Sequence, residues 1–368
     1  MHYHLILTEE CNSRCRYCYG KSVQDSNLKS SPPFSYDFSA PPVFSVPIEK
    51  LQTFLEKDAH AVVIFYGGEP LLEIEKIKEI VNTIDVPYRM QTNGLLLDEV
   101  PVSVLSKIDK ILISLDGTRE RTDYNRGTGT FDRVMNNICN ITSRGYEGEL
   151  IARMTIAQEF PDIFHQVCSL ISEGFTSIHW QLDAGFYGSD FNESTFSWFV
   201  GEYTRSLDIL IAFWMEKLKK GEVIRIYPFI GIVESLLYEE STLLRCGAGH
   251  SGYAICTDGR IVACPITMHI TDFVAGTLDI HPHDLEPITI GGRCRFCPIV
   301  HICGGRCLYW NRAGLWPENG DDLICKTIFH LVQALKQRIP EIEGLIKDNQ
   351  ISLRDLSHEK YFGPEIIP

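Results

Sequence analysis

Three cysteines stand within eight residues, Cys11, Cys15 and Cys18, in the stretch TEECNSRCRYCYG that follows the apolar run 3–7. The C-x3-C-x2-C spacing offers three thiolates to one metal group. Structural zinc closes its shell with four protein ligands. A cubane iron–sulfur cluster has four irons, each needing a ligand. Three thiolates then leave one iron for a small molecule that binds through nitrogen and oxygen, and the amino and carboxylate groups of a methionine suit it. A second field of eight cysteines lies between 246 and 325, and only Cys139 and Cys168 of the thirteen fall elsewhere. Those two sit among apolar neighbours at helical spacing and are expected in the core. An odd total does not suit a closed disulfide framework, so metal binding is the better reading.

The bulk numbers narrow the setting. Lys plus Arg is 34 and Asp plus Glu is 48, a formal charge of 34 − 48 = −14. Such a surface repels nucleic acid and anionic membrane, so neither is expected as a partner. No apolar run reaches the ~18–20 residues that span a bilayer. No basic segment followed by an apolar stretch opens the chain, so a cytoplasmic location is expected, where disulfides are rare.

The elements that must position these thiols alternate. Short runs rich in Ile, Val and Leu predict strands over 2–7, 61–66, 88–92, 110–115, 150–156 and 177–182. Helical periodicity predicts helices over 48–57, 73–83, 102–106, 131–144 and 163–173. Six βα repeats imply a parallel sheet with right-handed crossovers. The expected fold class is α/β, a partial (β/α)6 TIM-like barrel followed by a C-terminal cysteine-rich iron–sulfur domain. Its site belongs at the C-terminal strand ends. The unusual motifs all lie there: the thiol loop after strand 1, Gly67-Gly68-Glu69-Pro70 after strand 2, Gln91-Thr92-Asn93-Gly94 at strand 3, Ser114-Leu115-Asp116-Gly117 at strand 4, and Asp183 after strand 6. Residues 21–47 lack periodicity and read as a loop insertion, a lid over the barrel mouth. The expected domains are the barrel over 1–190, a helical bridge over 191–245 with its helix at 196–219, the cysteine-rich domain over 246–330, and a C-terminal helix and tail over 331–368. The last helix is expected to begin near 326.

The three cysteines, with aromatic Tyr17 before the last, together with GGEP, QTNG and SLDG, resemble the signature of radical S-adenosylmethionine (radical SAM) enzymes over roughly residues 1–190. In that family a reduced 4Fe–4S cluster splits the bound sulfonium and yields a 5′-deoxyadenosyl radical, which takes hydrogen from an unactivated C–H bond. The resemblance implies that Cys11, Cys15 and Cys18 hold the cluster. The glycines Gly67 and Gly68 would let the backbone approach the methionine amino group. Glu69, followed by Pro70, or a nearby carbonyl would accept its N–H bonds. Ser114 and Asn93 would contact the ribose or carboxylate, and Arg126 would pair with the carboxylate, with Arg153 as a rival. A partial zinc site is the plainer alternative for the three thiols.

The pattern Cys246, Cys264, Cys294-x2-Cys297-x5-Cys303-x3-Cys307, then Cys325, resembles the SPASM extension, which carries auxiliary clusters in radical SAM enzymes that modify peptides and proteins. The resemblance implies three 4Fe–4S clusters in all. Cys294, Cys297, Cys303 and Cys325 would hold an outer cluster; Cys246, Cys264 and Cys307 an inner one. The fourth iron of the inner cluster would be bound by Cys256 or left open, and Cys256 reads equally well as a buried, inert thiol. Thr257-Asp258-Gly259-Arg260 is a hairpin turn. The competing reading is zinc on Cys294, Cys297, Cys303 and Cys307.

Among relatives, the sulfatase maturases carry an Asp after the cysteine matched by Cys264. Here that residue is Pro265, which cannot accept a proton, and this disfavours formylglycine formation. The expected function is a peptide-modifying maturase (thioether, carbon–carbon crosslink or epimer) acting on a ribosomally made peptide or small protein. It would take electrons from a ferredoxin or flavodoxin. With strand 1 starting at residue 2, no N-terminal peptide-recognition domain is expected, so leader binding would fall to a separate protein or the 21–47 loop, or there would be no leader at all. Asp183, Tyr253 and Cys256 are catalytic candidates by position alone. A small-molecule radical SAM dehydrogenase and a non-catalytic metal scaffold are the alternatives.

Overall fold

The computed structural model describes residues 1–19, 34–186 and 190–368. In chain order the βα alternation runs β1 (His2–Ile6), α1 (Ile48–Leu55), β2 (Val62–Tyr66), α2 (Ile74–Thr83), β3 (Tyr88–Thr92), α3 (Val102–Leu105), β4 (Ile108–Ser114), α4 (Arg119–Arg126), α5 (Thr130–Ser143), β5 (Glu149–Ile156), α6 (Ile163–Ser172) and β6 (Ser177–Leu182). Then follow α7 (Glu193–Leu218), β7 (Arg225–Ile226), α8 (Tyr227–Leu237), β8 (Gly252–Ile255), β9 (Arg260–Val262), β10 (Val274–Thr277), α9 (Val300–Cys303), α10 (Leu308–Ala313), α11 (Glu318–Lys336) and α12 (Ile339–Lys347). The chain divides into two compact units. Of the described residues, the first holds 1–19, 34–151 and 247–289, and the second 152–186, 190–246 and 290–368.

In the first unit the strand order is β10-β9-β8-β1-β2-β3-β4. Strands β8, β1, β2, β3 and β4 run parallel, with His2 opposite Val62 on one side and Gly252 on the other. The antiparallel hairpin β8–β9 turns at Gly259, where φ is +88°, and β10 adds to its edge. Alternation along β1 sends Tyr3 and Leu5 to one face, where the Tyr3 ring meets Phe54 of α1 at 5.4 Å. The other face is an apolar cluster of Ile6, Tyr66, Ala254, Cys256 and Val262. Burying Ile6 and Val262 there contributes about 1.5–3 kcal/mol each.

In the second unit β6 pairs parallel with β7. Its Trp180 packs against Phe229 of α8 and donates its indole N–H to Tyr203 of α7 at 2.8 Å. His330 Nε2 of α11 lies 2.6 Å from Asp208 Oδ1 of α7, tying the long helices together.

The strand expectations are met within two residues at each end. Helices α4, α8, α9, α10 and α12 lie outside the reading above, α12 following the helix expected to be last, and α11 starts early. Helix α4 (RERTDYNR) has no apolar stripe; it starts on Thr118, whose hydroxyl accepts from Arg121 N at 3.2 Å, and stops at Gly127 with φ +116°. Helix α8 is buried nearly all round, so it shows no period. Helix α11 begins at Glu318, eight residues before the expected start near 326, and so carries Cys325 on a helix. Cys139, expected in the core, is exposed, because α5 buries the stripe Phe131, Val134, Asn137 and Ile141 and Cys139 lies off it. Cys168 is partly buried. The 21–47 insertion falls in part outside the described residues. Its described end runs along the chain after β1: Phe44 N donates to Leu7 O, Glu9 N to Pro42 O, and Tyr36 bridges Ile270.

Candidate metal and cofactor site

The thiol loop follows β1 directly, and three neighbouring strand ends fix it. Gly68 N donates to Thr8 O and Glu69 N to Glu10 O, both at 2.8 Å. A Cβ on Gly68 would meet Glu10 O at 2.2 Å, and one on Gly67 would meet Thr8 O at 2.4 Å. The two glycines therefore let the loop after β2 lie against the loop after β1. Their first use is within the chain itself, a reason the sequence did not suggest.

Glu69 is fully buried and fastens the next strand. Its Oε1 accepts from Thr92 Oγ1 at 2.7 Å and Leu71 N at 3.1 Å; its Oε2 accepts from Asn93 N at 2.7 Å. Burial pushes its pKa up to about 7, against the lowering effect of these three donors. Pro70 opens the 3-10 turn that follows. Asn93 then reaches the thiol loop: its amide donates to Asn12 Oδ1 at 2.7 Å and lies 3.8 Å from Cys11 Sγ.

The third anchor is Asp116, just past β4 and fully buried. Arg126 binds it in a two-pronged pair, Nε to Oδ2 at 3.1 Å and Nη2 to Oδ1 at 3.0 Å. Asn125 adds a bond at 3.1 Å, and the Tyr17 hydroxyl donates to the same carboxylate. Arg126 Nη1 lies 4.0 Å from Cys15 Sγ. Burial works against the charged form of Arg126, but Asp116, together with Tyr17 and Cys15, outweighs it and holds the guanidinium above its ordinary value. The loop is pinned further by Arg16 N to Asn125 O at 2.9 Å and by the Arg16 guanidinium over the Tyr124 ring at 4.2 Å. Ser13 sits between two thiols, its N–H donating to Cys11 Sγ and its hydroxyl 3.4 Å from Cys15 Sγ.

Asp116, Asn125 and Asn12 were not among the expected site residues, although SLDG and the residues around Arg126 contain two of them. Arg126, expected to face a ligand carboxylate, spends its fork on Asp116. Ser114 ends β4, half-buried. Tyr19, after the last cysteine, shares a 2.6 Å hydroxyl contact with Tyr66.

The weaker candidates separate. Tyr253 pairs in register with Tyr3, whose ring packs on α1, so it is a buried residue of the helix-covered face. Cys256 is fully buried in the apolar cluster, and burial pushes its thiol up to about 12. Asp183 follows β6, half-buried, its N–H on Ile156 O at 2.9 Å. Cys264 belongs to the first unit and Cys246 and Cys307 to the second. Arg153, on β5 in the second unit, donates to Gln181 Oε1 at 3.2 Å.

The second unit holds another thiol site. Cys294, Cys297, Cys303 and Cys325 line one pocket, with Arg306 and Trp310 in its wall. Burial pushes the Cys303 thiol up to about 11 and Cys325 to about 12, and raises Cys294. Ligation of such thiols must release protons. Arg293 approaches Cys325 Sγ at 3.9 Å from the surface, where it also pairs with Asp322. Burial lowers the Arg306 guanidinium, opposed by Cys307, Cys325 and Cys303.

Residues 5–164 match the family model of the Radical SAM superfamily. The chain carries a radical SAM domain. Relatives extend beyond that domain. An uncharacterized protein of Archaeoglobus fulgidus is 27% identical over 335 residues, covering 85% of this chain and 74% of the relative. A cysteine-type anaerobic sulfatase-maturating enzyme of Clostridium perfringens strain 13 is 24% identical, covering 81% of this chain and 85% of the enzyme. Among solved structures, native anSMEcpe with bound AdoMet superposes with a TM-score of 0.71 at 18% identity, over 95% of this chain and 100% of that one. Streptococcus suis SuiB bound to precursor peptide SuiA gives 0.52 at 12% identity, over 84% and 72%. At these identities the superpositions show the fold alone, a mixed α/β arrangement with a parallel sheet and a cysteine-rich C-terminal region. No helix among the described residues is long and apolar enough to cross a membrane.

Proposed function

We propose that this radical SAM chain modifies a peptide or small protein by hydrogen abstraction. Cys11, Cys15 and Cys18 would hold a 4Fe–4S cluster. The donor set fits that group: three thiols within one loop, with N–H groups of Ser13, Asn93 and Arg126 near two of the sulfurs, where they would tune a cluster's potential. When bound, the cluster supplies the electron that splits S-adenosylmethionine.

The residues themselves do the positioning. Glu69 and Asp116 anchor Asn93 and Arg126, and these two hold Cys11 and Cys15 in place. Because Gly68 N and Glu69 bond within the chain and Gly67 lies against Thr8, contacts to the methionine amino group would fall to backbone carbonyls near Pro70, and Ser114 and Asn93 would remain for the ribose and carboxylate. Cys294, Cys297, Cys303 and Cys325 suit a second cluster, since all four line one pocket. By resemblance of spacing alone, Cys246, Cys264 and Cys307 would hold a third. Cys256 is read as a packed thiol, which leaves the fourth iron there for substrate. Ferredoxin or flavodoxin is the expected donor, in the cytoplasm.

The sulfatase-maturase reading stays as the second one, because relatives across most of the chain bear that name. Against it, the residue after Cys264 is Pro265, which opens a 3-10 turn and offers no carboxylate. One experiment separates them. The reduced enzyme is given S-adenosylmethionine with a peptide library and with sulfatase-derived Cys and Ser peptides. A thioether, crosslink or epimer supports the proposal. Formylglycine supports the second reading, and turnover of a free metabolite alone overturns both.

A further inference from the structure

Arg306 is the least expected side chain in the second thiol site. It is 5% exposed and lines the pocket that Cys294, Cys297, Cys303 and Cys325 share. Its backbone φ is +59°, following Gly304 at +68° and Gly305 at +98°. A non-glycine residue adopts that region only where its surroundings fix it there. Two of its nitrogens reach the end of β6: Nη1 lies 3.3 Å from Ala184 O and Nη2 3.5 Å from Leu182 O. Its Nε is buried and has no hydrogen-bond partner among the described residues. A buried donor left unpaired is costly, and it marks a place where a group outside the protein belongs.

We propose that Arg306 is a positioning residue that raises the reduction potential of the cluster held by these four thiols, its Nε–H and fixed positive charge being directed to the cluster sulfurs. The physics is that of any sulfur-ligated iron site. Reduction adds negative charge, and a buried cation with an N–H donor stabilises the more negative state. Burial decides which arginine matters. Arg293 also nears Cys325, but its side chain is 41% exposed and already paired with Asp322, so water screens it. Asp321, bonded to the Trp310 indole at 2.9 Å, offsets part of the Arg306 charge. Because the same guanidinium grips the carbonyls on both sides of Asp183, it links the thiol site to the end of β6 within one unit.

The inference rests on the reading that these four cysteines hold a cluster, and the test keeps the two apart. Full-length protein is reconstituted anaerobically, and its iron and sulfide are counted. The midpoint of the EPR signal that disappears in a Cys294→Ala/Cys297→Ala double variant is titrated with dithionite. Arg306→Gln is expected to lower the one-electron reduction constant at least tenfold, a downward shift of about 59 mV. Arg306→Lys should fall between, and Arg293→Gln should shift it less than Arg306→Lys does. An unchanged midpoint in an Arg306→Gln protein with full iron overturns the inference. If Arg306→Gln loses iron, Arg306→Lys decides. Loss of iron in both, with the fold retained, assigns Arg306 to assembly and also overturns it. If the double cysteine variant loses no iron, the cluster reading itself fails.

Discussion

Arg126 and Glu69 show how much of this site is internal carpentry. Both looked like ligand-facing residues in the sequence, and both are spent on the chain: Arg126 on Asp116, Glu69 on Thr92 and two backbone N–H groups. Arg126→Gln leaves a buried carboxylate without its cation, a loss of about 3–5 kcal/mol. It should lower thermal stability and cut iron retention at the first thiol loop, read by melting and iron assay. Glu69 carries a pH signature. Its folded pKa is raised to about 7 from 4.5, so the folded state binds a proton that the unfolded state has lost across that window. Stability from this group is therefore present below about 4.5 and lost as pH rises through 7. Wild type should lose stability between pH 5 and 7 relative to Glu69→Gln; parallel urea midpoints across that range would show that the carboxylate titrates normally.

At the scale of elements, what was legible followed periodicity. The six strands and most helices were readable because buried apolar runs and stripes announce them, and the strand ends located GGEP, QTNG and SLDG correctly. Helix α4 was not readable, since a polar helix has only its caps as signals, yet it delivers Asn125 and Arg126. Nor was the true job of Gly68, because a close approach between two loops is a property of the fold and not of either loop. Gly68→Ala puts a methyl 2.2 Å from Glu10 O, a backbone atom that cannot swing aside. It should cost about 1–3 kcal/mol and shift the thiol loop, so that iron bound there falls while iron bound by the second unit is kept.

At the scale of the whole molecule, cysteine spacing carried the most information. The four thiols of the outer set, separated by up to 31 residues in sequence, line one pocket. Cys256, which reads in the sequence equally well as ligand or packed thiol, is buried in an apolar cluster. Reconstituted protein should carry about twelve irons, three clusters of four, and lose about four when Cys294 and Cys297 are replaced.

The account depends most on one open iron at the first thiol loop. EPR of the reduced, reconstituted protein tests it before and after S-adenosylmethionine is added, beside a variant with Cys11, Cys15 and Cys18 replaced by Ala. The account predicts a signal whose g-values move on addition, absent from the variant along with all 5′-deoxyadenosine formation. A spectrum indifferent to S-adenosylmethionine, or a variant that still cleaves it, would contradict the account.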